Sequence, residues 1–188
     1  MTIAPKKKVL DFSFLEISDV NELPQALDMA CPPPEGREGQ PRRVGAVAVK
    51  VGNNGIDDLT GLYDSLASFI REPANLGWLD FSFNQIERIP QEFEQFQFLS
   101  SLYLQANDIK EVKALKPLQK CTNLKKLAMH GNPIEDTPNY RQYMMLLVPS
   151  LRMLDFSMIT DADRSNATNF VKPFEAALNP RRRKSDDD

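Results

Sequence analysis

Apolar residues recur along the middle of the chain in a pattern that passes from strand-like alternation to an asparagine. The clearest copy lies within residues 75–90, where Leu76, Leu79 and Phe81 precede Asn84. Alternation at Leu79 and Phe81 sends both side chains to the same face of a strand. The pattern therefore predicts a short buried strand, a sharp turn at the asparagine and a returning segment.

The pattern repeats. Successive asparagines lie 30, 23 and 25 residues apart, at Asn54, Asn84, Asn107 and Asn132. Periods of about 20–29 residues are typical of leucine-rich repeats, with the first unit slightly expanded. A fifth, partial copy places Leu151, Leu154 and Phe156 in the apolar positions, with Ile159 where asparagine would fall. We expect a last strand from Leu151 to Phe156.

Each asparagine has a predicted structural role at the turn. The turn leaves backbone N–H and C=O groups buried without strand partners, and an amide side chain can both donate and accept hydrogen bonds. We therefore predict that the four asparagines stack as a ladder through the array.

The repeats predict an α/β fold, a leucine-rich repeat solenoid. We expect a right-handed, horseshoe-like arc with a parallel concave sheet, a mixed helical and irregular convex side, and a C-terminal cap. One convex helix is expected to end before Pro73, and another to start near Pro138 and stop before Pro149. Thr160 followed by Asp163 resembles a capping box at the start of a helix in the cap.

Composition divides the chain into three expected regions. An N-terminal segment, 1–43, is partly extended and contains a Pro- and Gly-rich loop at 32–43. The repeat domain covers 44–168 and includes the cap at 138–168. A charged tail, 169–188, ends in a basic cluster, Arg181–Lys184, followed by acidic residues.

Function is expected on the concave face, where the strand residues between the core positions point outward. Trp78 and Tyr103 lie on adjacent strands, and such aromatic pairs form the anchors of protein interfaces. A competing interpretation is that Trp78 packs against the N-terminal segment. The predicted protein-binding residues are Trp78, Asp80, Tyr103, Gln105, Lys126, His130 and Asp155.

Charge and candidate chemistry exclude several classes of function. A net charge of −3 gives no general attraction to nucleic acid or to an anionic membrane. The basic N-terminus has no apolar stretch after it, so we expect no secretory signal and interpret Cys31 and Cys121 as reduced thiols. His130, the one histidine, has no nucleophile in register with it, so we predict no catalytic site, cofactor or metal.

Several stretches resemble a known family: residues 75–86 (NLGWLDFSFNQI), 127–143 (LAMHGNPIEDTPNYRQY) and 154–167 (LDFSMITDADRSNA). They are similar to the leucine-rich repeat-containing protein 51 family, over about residues 10 to 168. The departures lie in the 32–43 loop and the C-terminal tail. Several relatives in this wider group of small, capped proteins are parts of cilia and flagella, and one is a spliceosomal component.

The resemblance implies a non-enzymatic protein-interaction module. It is expected to be a cytoplasmic structural or docking subunit of the ciliary or flagellar axoneme, in a hetero-complex with larger axonemal chains. The alternative is a nuclear or cytosolic adaptor in a protein or ribonucleoprotein complex, which recognises protein rather than RNA. For that alternative, the basic cluster Arg181–Lys184 would matter.

Overall fold

A computed structural model of the chain describes residues 8–35 and 42–179. The strands among these residues form a seven-stranded sheet in chain order: β1 Lys8–Asp11, β2 Ala46–Lys50, β3 Trp78–Asp80, β4 Ser101–Tyr103, β5 Lys126–Ala128, β6 Met153–Leu154 and β7 Ser157–Met158. Strands β1 to β6 pair in parallel, and β7 pairs antiparallel with β6. Because parallel neighbours need a crossover connection, each repeat returns across the convex side.

The convex side is built from short helices. The α-helices are α1 Leu27–Ala30, α2 Leu62–Phe69, α3 Tyr140–Leu147, α4 Asp161–Ala167 and α5 Val171–Leu178. The 3₁₀ helices are Val20–Glu22, Pro73–Asn75, Gln91–Gln95, Val112–Lys120, Pro133–Asp136 and Thr168–Phe170. Helix α2 ends before Pro73 and α3 before Pro149, as predicted, because proline cannot continue the hydrogen-bonding pattern of a helix.

The core lies between the sheet and the convex segments. Its centre is a row of leucines, one from each of four successive strands and in register across them: Leu79, Leu102, Leu127 and Leu154. All four are buried. Burying one such side chain contributes about 1.5–3 kcal/mol, so neighbouring repeats stabilise each other through this row.

The asparagine at each turn joins its own repeat to the preceding one. The Asn84 amide donates to the carbonyls of Val51 at 2.9 Å and Phe81 at 3.0 Å, while its oxygen accepts from Ile56 N at 3.1 Å. The other asparagines use the same kinds of partner: Asn54, Asn107 and Asn132. The ladder supplies hydrogen bonds that the short strands leave unmade.

The N-terminal segment shares the core of the repeats. Strand β1 pairs with β2, and Leu10, Phe12 and Ile17 are buried. The Asn54 oxygen also accepts from Leu15 N and Ile17 N, which ties this segment to the first asparagine. Part of the Pro- and Gly-rich loop, 36–41, lies outside the described residues.

The C-terminal cap contains the predicted capping box. Thr160 Oγ1 accepts from Asp163 N at 3.1 Å, and an Asp163 carboxylate oxygen accepts from Thr160 N at 2.9 Å, which begins α4. A charged tail is expected from residue 169, but the structure has helix α5 in this region. Helix α5 packs on the cap and buries Phe174 and Leu178. The basic cluster 181–184 lies outside the described residues.

The last strand is shorter than predicted. It covers Met153–Leu154 only, and the chain then turns through Asp155 and Phe156, with φ values of 48° and 59°. Phe156 was expected in the core, but it is 57% exposed. Since no further parallel strand follows β6, the backbone turns back as β7 and carries Phe156 out of the core.

No helix in the described ranges is long and apolar enough to cross a membrane.

We predict that Asn84→Ala lowers the free energy of unfolding by about 1–3 kcal/mol, because it leaves buried backbone groups without hydrogen bonds. Urea denaturation followed by circular dichroism measures the change. The control is Asn166→Ala, whose side chain is exposed on α4 and should shift stability by no more than about 0.5 kcal/mol. Equal stability of the two variants would contradict a structural role for the ladder.

Candidate functional site

The concave face is organised in rows that cross the strands. Strand register aligns Trp78 of β3 with Ser101 of β4 and Lys126 of β5. The next row aligns Asp80 with Tyr103. Because successive side chains alternate between faces, these residues point away from the leucine core and form the outer surface of the sheet.

A continuous set of rings, here called the aromatic row, crosses this face: Trp78, Tyr103, Phe156 and His130. Trp78 contacts Tyr103 edge-to-face, with ring centroids 5.7 Å apart. Phe156 contacts Tyr103 at 5.9 Å and His130 at 5.6 Å in similar geometry. Such offset pairs stabilise each other by about 0.5–1.5 kcal/mol beyond burial. The row is therefore a rigid, partly exposed apolar surface.

Two buried polar atoms on the concave face have no hydrogen-bond partner among the described residues. They are the indole nitrogen of Trp78 and the side-chain oxygen of Gln105. A buried donor or acceptor without a partner is destabilising by about 1–3 kcal/mol. On this face, the protein therefore leaves one buried donor and one buried acceptor without a hydrogen bond.

The turn that presents Phe156 is held by Asp155. One carboxylate oxygen accepts from Met129 N at 2.6 Å and His130 N at 2.9 Å, and the other accepts from the Tyr140 hydroxyl at 2.9 Å. Burial, followed by the charge of Asp155, raises the pKa of Tyr140 far above its usual range, so this hydroxyl stays a donor. Asp155 thus joins β5, β6 and α3 and positions the end of the aromatic row.

The remaining predicted residues are distributed around the row. Asp80 is buried, and one of its oxygens accepts from Ser82 N and Ser82 Oγ. Lys126 is exposed on β5, at the other end of that strand from His130, and among the described residues it makes no ion pair. The structure therefore links Trp78, Tyr103 and His130 through ring contacts that include Phe156. Asp80 lies beside Tyr103, and Lys126 lies in the same row as Trp78, two strands away.

Sequence reasoning missed Phe156 as a surface residue. The letters Leu-Asp-Phe-Ser occur three times. Phe12 and Phe81 are buried in the copies at 10–13 and 79–82, whereas Phe156 is exposed in the copy at 154–157. Phe81 N donates to Tyr103 O of the next parallel strand, a partner that the last repeat lacks. The one available signal was the absence of asparagine at position 159.

The surroundings of His130 are those of a surface residue. Its side chain is 44% exposed, and its Nδ1 lies 3.7 Å from an Asp155 oxygen. In the ranges 8–35 and 42–179, no group of three or more His, Cys, Asp or Glu side chains could hold a metal ion. Burial raises the pKa of the Cys121 thiol to about 11, which keeps it protonated and unreactive.

Comparisons with known proteins agree with this architecture. A family model described as leucine-rich repeat matches residues 56–180. The chain is 30% identical over 182 residues to leucine-rich repeat-containing protein 51 of Macaca mulatta, which covers 95% of this chain and 94% of that protein. The chain belongs to the leucine-rich repeat-containing protein 51 family. The Bos taurus member is 37% identical over 115 residues, and the match spans 61% of this chain and 60% of the bovine protein.

More distant similarity extends beyond this family. A chain in the crystal structure of the Drosophila melanogaster SNF/U2A′ complex has a TM-score of 0.66 and 27% identity, covering 92% of this chain and 87% of that one. The probable U2 small nuclear ribonucleoprotein A′ of the same organism is 38% identical over 90 residues, 47% of this chain and 34% of that protein. The predicted leucine-rich repeat fold is confirmed, and family members of this kind are protein-interaction modules.

We predict that Asp155→Ala lowers the free energy of unfolding by about 1–3 kcal/mol and disorders the aromatic row, because two backbone N–H groups lose their acceptor. Asp155→Asn keeps an acceptor oxygen and should lose less. Denaturation and the near-ultraviolet circular dichroism of the rings measure the two effects. Asp57→Ala, at an exposed convex carboxylate, serves as the control, and a loss as large in that variant would refute the assignment.

Proposed function

We propose that the chain is a non-enzymatic docking subunit that binds a larger protein through the aromatic row on its concave face. The observation that carries this proposal is the continuity of Trp78, Tyr103, Phe156 and His130 across neighbouring strands. Partly exposed aromatic side chains on a rigid sheet lose little conformational freedom on binding, which is why such residues dominate protein interfaces.

The unpaired polar atoms support the same surface. A partner that approaches the row could offer an acceptor to the Trp78 indole nitrogen and a donor to the Gln105 oxygen after a small side-chain rotation. Forming these bonds on binding would remove a penalty present in the free protein. Lys126 and Asp155 would add polar specificity at the margin of the surface.

The more specific proposal is a structural or docking role in the ciliary or flagellar axoneme, as part of a hetero-complex in the cytoplasm. It rests on the resemblance to a group of small, capped leucine-rich proteins that includes axonemal components. The proposed partners are larger axonemal chains, with no direct contact to nucleic acid or membrane.

The alternative is an adaptor in a protein or ribonucleoprotein complex. Its support is the similarity to the Drosophila U2 small nuclear ribonucleoprotein A′ and to a chain of the SNF/U2A′ complex. The two proposals differ in where the protein accumulates. Fractionation of ciliated cells, with crosslinking and mass spectrometry, separates them: recovery in the detergent-resistant axoneme supports the first, and recovery in a nuclear complex supports the second.

For the docking surface itself, we predict that Trp78→Ala combined with Tyr103→Ala leaves the protein folded but weakens capture of its crosslinked partner by about 30-fold or more. The expected loss is large because both rings would lie at the centre of the interface. The control combines Phe98→Ala with Met29→Ala, since these exposed apolar side chains lie outside the sheet strands. Unchanged capture by the Trp78 and Tyr103 variant would refute the proposed surface.

Trp78 also provides a direct readout, because it is the one tryptophan of the chain. Its fluorescence reports on the aromatic row without labelling. Addition of the purified partner should shift this emission in a saturable way in the wild type and in the Phe98 and Met29 control.

A further inference from the structure

The N-terminal half of the concave face carries a polar pocket that is separate from the aromatic row. A cavity of about 270 Å³ opens between β1, β2 and β3. Its walls include Asp11, Ser13, Phe14, Lys50 and Asp80. This volume is below the roughly 300–1,000 Å³ of typical small-molecule sites, so the pocket suits one side chain.

The charges in the pocket are unequal. Strand register places Lys50 between Asp11 and Asp80. The Lys50 ammonium lies 2.8 Å from an Asp11 oxygen, and that hydrogen bond raises the pKa of Lys50 above its usual value. Partial burial raises the pKa of Asp11, but hydrogen bonds from Lys50 and Ser13 outweigh it and lower the pKa. The pocket therefore contains two aspartate side chains, Asp11 and Asp80, and one lysine.

Asp80 has unused hydrogen-bonding capacity. One oxygen accepts from Ser82 N at 3.0 Å and from Ser82 Oγ at 2.6 Å. The other oxygen has no hydrogen bond or ion pair with any described residue, although Asp80 is only 9% exposed. A carboxylate oxygen without a donor can accept a charge-assisted hydrogen bond from a cationic group. The second Asp80 oxygen is therefore available to a cationic donor from a partner.

An exposed phenylalanine follows two of the three strands, and one of them, Phe14, lines the pocket. Phe14 is 73% exposed with φ of 61°, and Phe83 is 54% exposed with φ of 57°. Positive φ is unfavourable for a bulky residue, and the turns of other repeats use Asn53, Ala106 or Gly131 there. The backbone thus does not require phenylalanine. An aromatic face beside carboxylates is a binding surface for a flat cation.

The pocket is built by one tetrapeptide used twice. Asp-Phe-Ser-Phe occurs at 11–14 and at 80–83, on the strands that flank β2. Between them, Gly52 keeps the floor open. A Cβ there would lie 3.0 Å from Ser82 Oγ and 3.8 Å from an Asp80 oxygen. Any larger residue at position 52 would crowd Ser82 and the Asp80 oxygen that accepts from it.

We infer that the pocket between Asp11 and Asp80 binds an arginine side chain of a protein partner. The guanidinium group would lie against the Phe14 ring and donate hydrogen bonds to the free Asp80 oxygen and to Asp11. Lys50 would turn toward solvent. Arginine fits better than lysine because its planar group can stack on a ring while it donates to two carboxylates. The inference rests on the proposed function only in assigning the arginine to a protein that binds the concave face.

The test uses the full ¹⁵N-labelled chain and a short probe, acetyl-Gly-Arg-Gly-amide, followed by nuclear magnetic resonance. We expect saturable shifts of the backbone amides of Ser13, Gly52 and Ser82. The same peptide with citrulline, which is similar in shape but uncharged, should cause none. Equal shifts with both peptides, or shifts confined to other parts of the protein, would overturn the inference.

Lys50→Met gives the sharpest prediction, because it removes the competing ammonium and keeps a similar stem. It should tighten binding of the arginine peptide by about 3- to 10-fold. Phe14→Ala should weaken binding by several-fold, whereas the matched control Phe98→Ala should not. The inference fails if Lys50→Met does not tighten binding, or if a lysine peptide binds as tightly as the arginine peptide.

Failure of the arginine pocket can be distinguished from failure of the proposed docking surface. The variant that combines Trp78→Ala with Tyr103→Ala should bind the arginine peptide as the wild type does. If that variant also captures the partner normally, the docking proposal fails while the pocket stands. If the variant loses the partner but the wild type ignores the peptide, the pocket inference alone fails.

Discussion

The fold depends on an amide side chain that completes the hydrogen bonding of two successive turns. The strands β3, β4 and β5 are three residues long, so the sheet alone cannot pair the backbone where the chain leaves it. The carbonyl of Phe81 accepts from both Asn84 and Asn107, and the carbonyl of Leu104 accepts from both Asn107 and Asn132. Each repeat is therefore bonded to its neighbour through shared acceptors. Because of this coupling, the stability of such an array depends more on the interfaces between neighbouring repeats than on each repeat by itself.

The sequence predicts most of this architecture because its signals are local and periodic. The spacing of the asparagines, the alternation at Leu79 and Phe81, and the capping residues Thr160 and Asp163 each report on a few adjacent positions. The position of Phe156 is different, since the same four letters give a buried ring directly after β3 and an exposed one after β6. What decides between them is whether another strand follows in space, and no window of sequence contains that information. Helix α5 was missed for a related reason, because the charged residues after 179 obscured two apolar positions that pack on the cap.

The sequence predicts which residues lie on the concave face but not which hydrogen bonds their side chains make. Strand alternation correctly places Trp78, Tyr103 and His130 on one face. It cannot show that Asp155 bonds to the backbone of β5 and to Tyr140, or that Asp80 bonds to Ser82. Short-range hydrogen bonds of this kind depend on side-chain rotamers, which periodicity does not encode. The concave face is consequently divided into an aromatic half toward the C-terminus and a charged half toward the N-terminus.

The antiparallel pairing of β7 with β6 has a consequence for how such proteins can change in length. The hairpin closes one border of the sheet with backbone that comes from the cap itself, and β1 supplies the opposite border from the N-terminal segment. Both borders are thus independent of the number of units between them. Duplication of a unit such as the one around Asn107 would widen the concave surface by one strand and leave the two termini as they are. Such duplications and deletions would lengthen or shorten the arc, and the concave surface would grow or shrink in steps of one repeat.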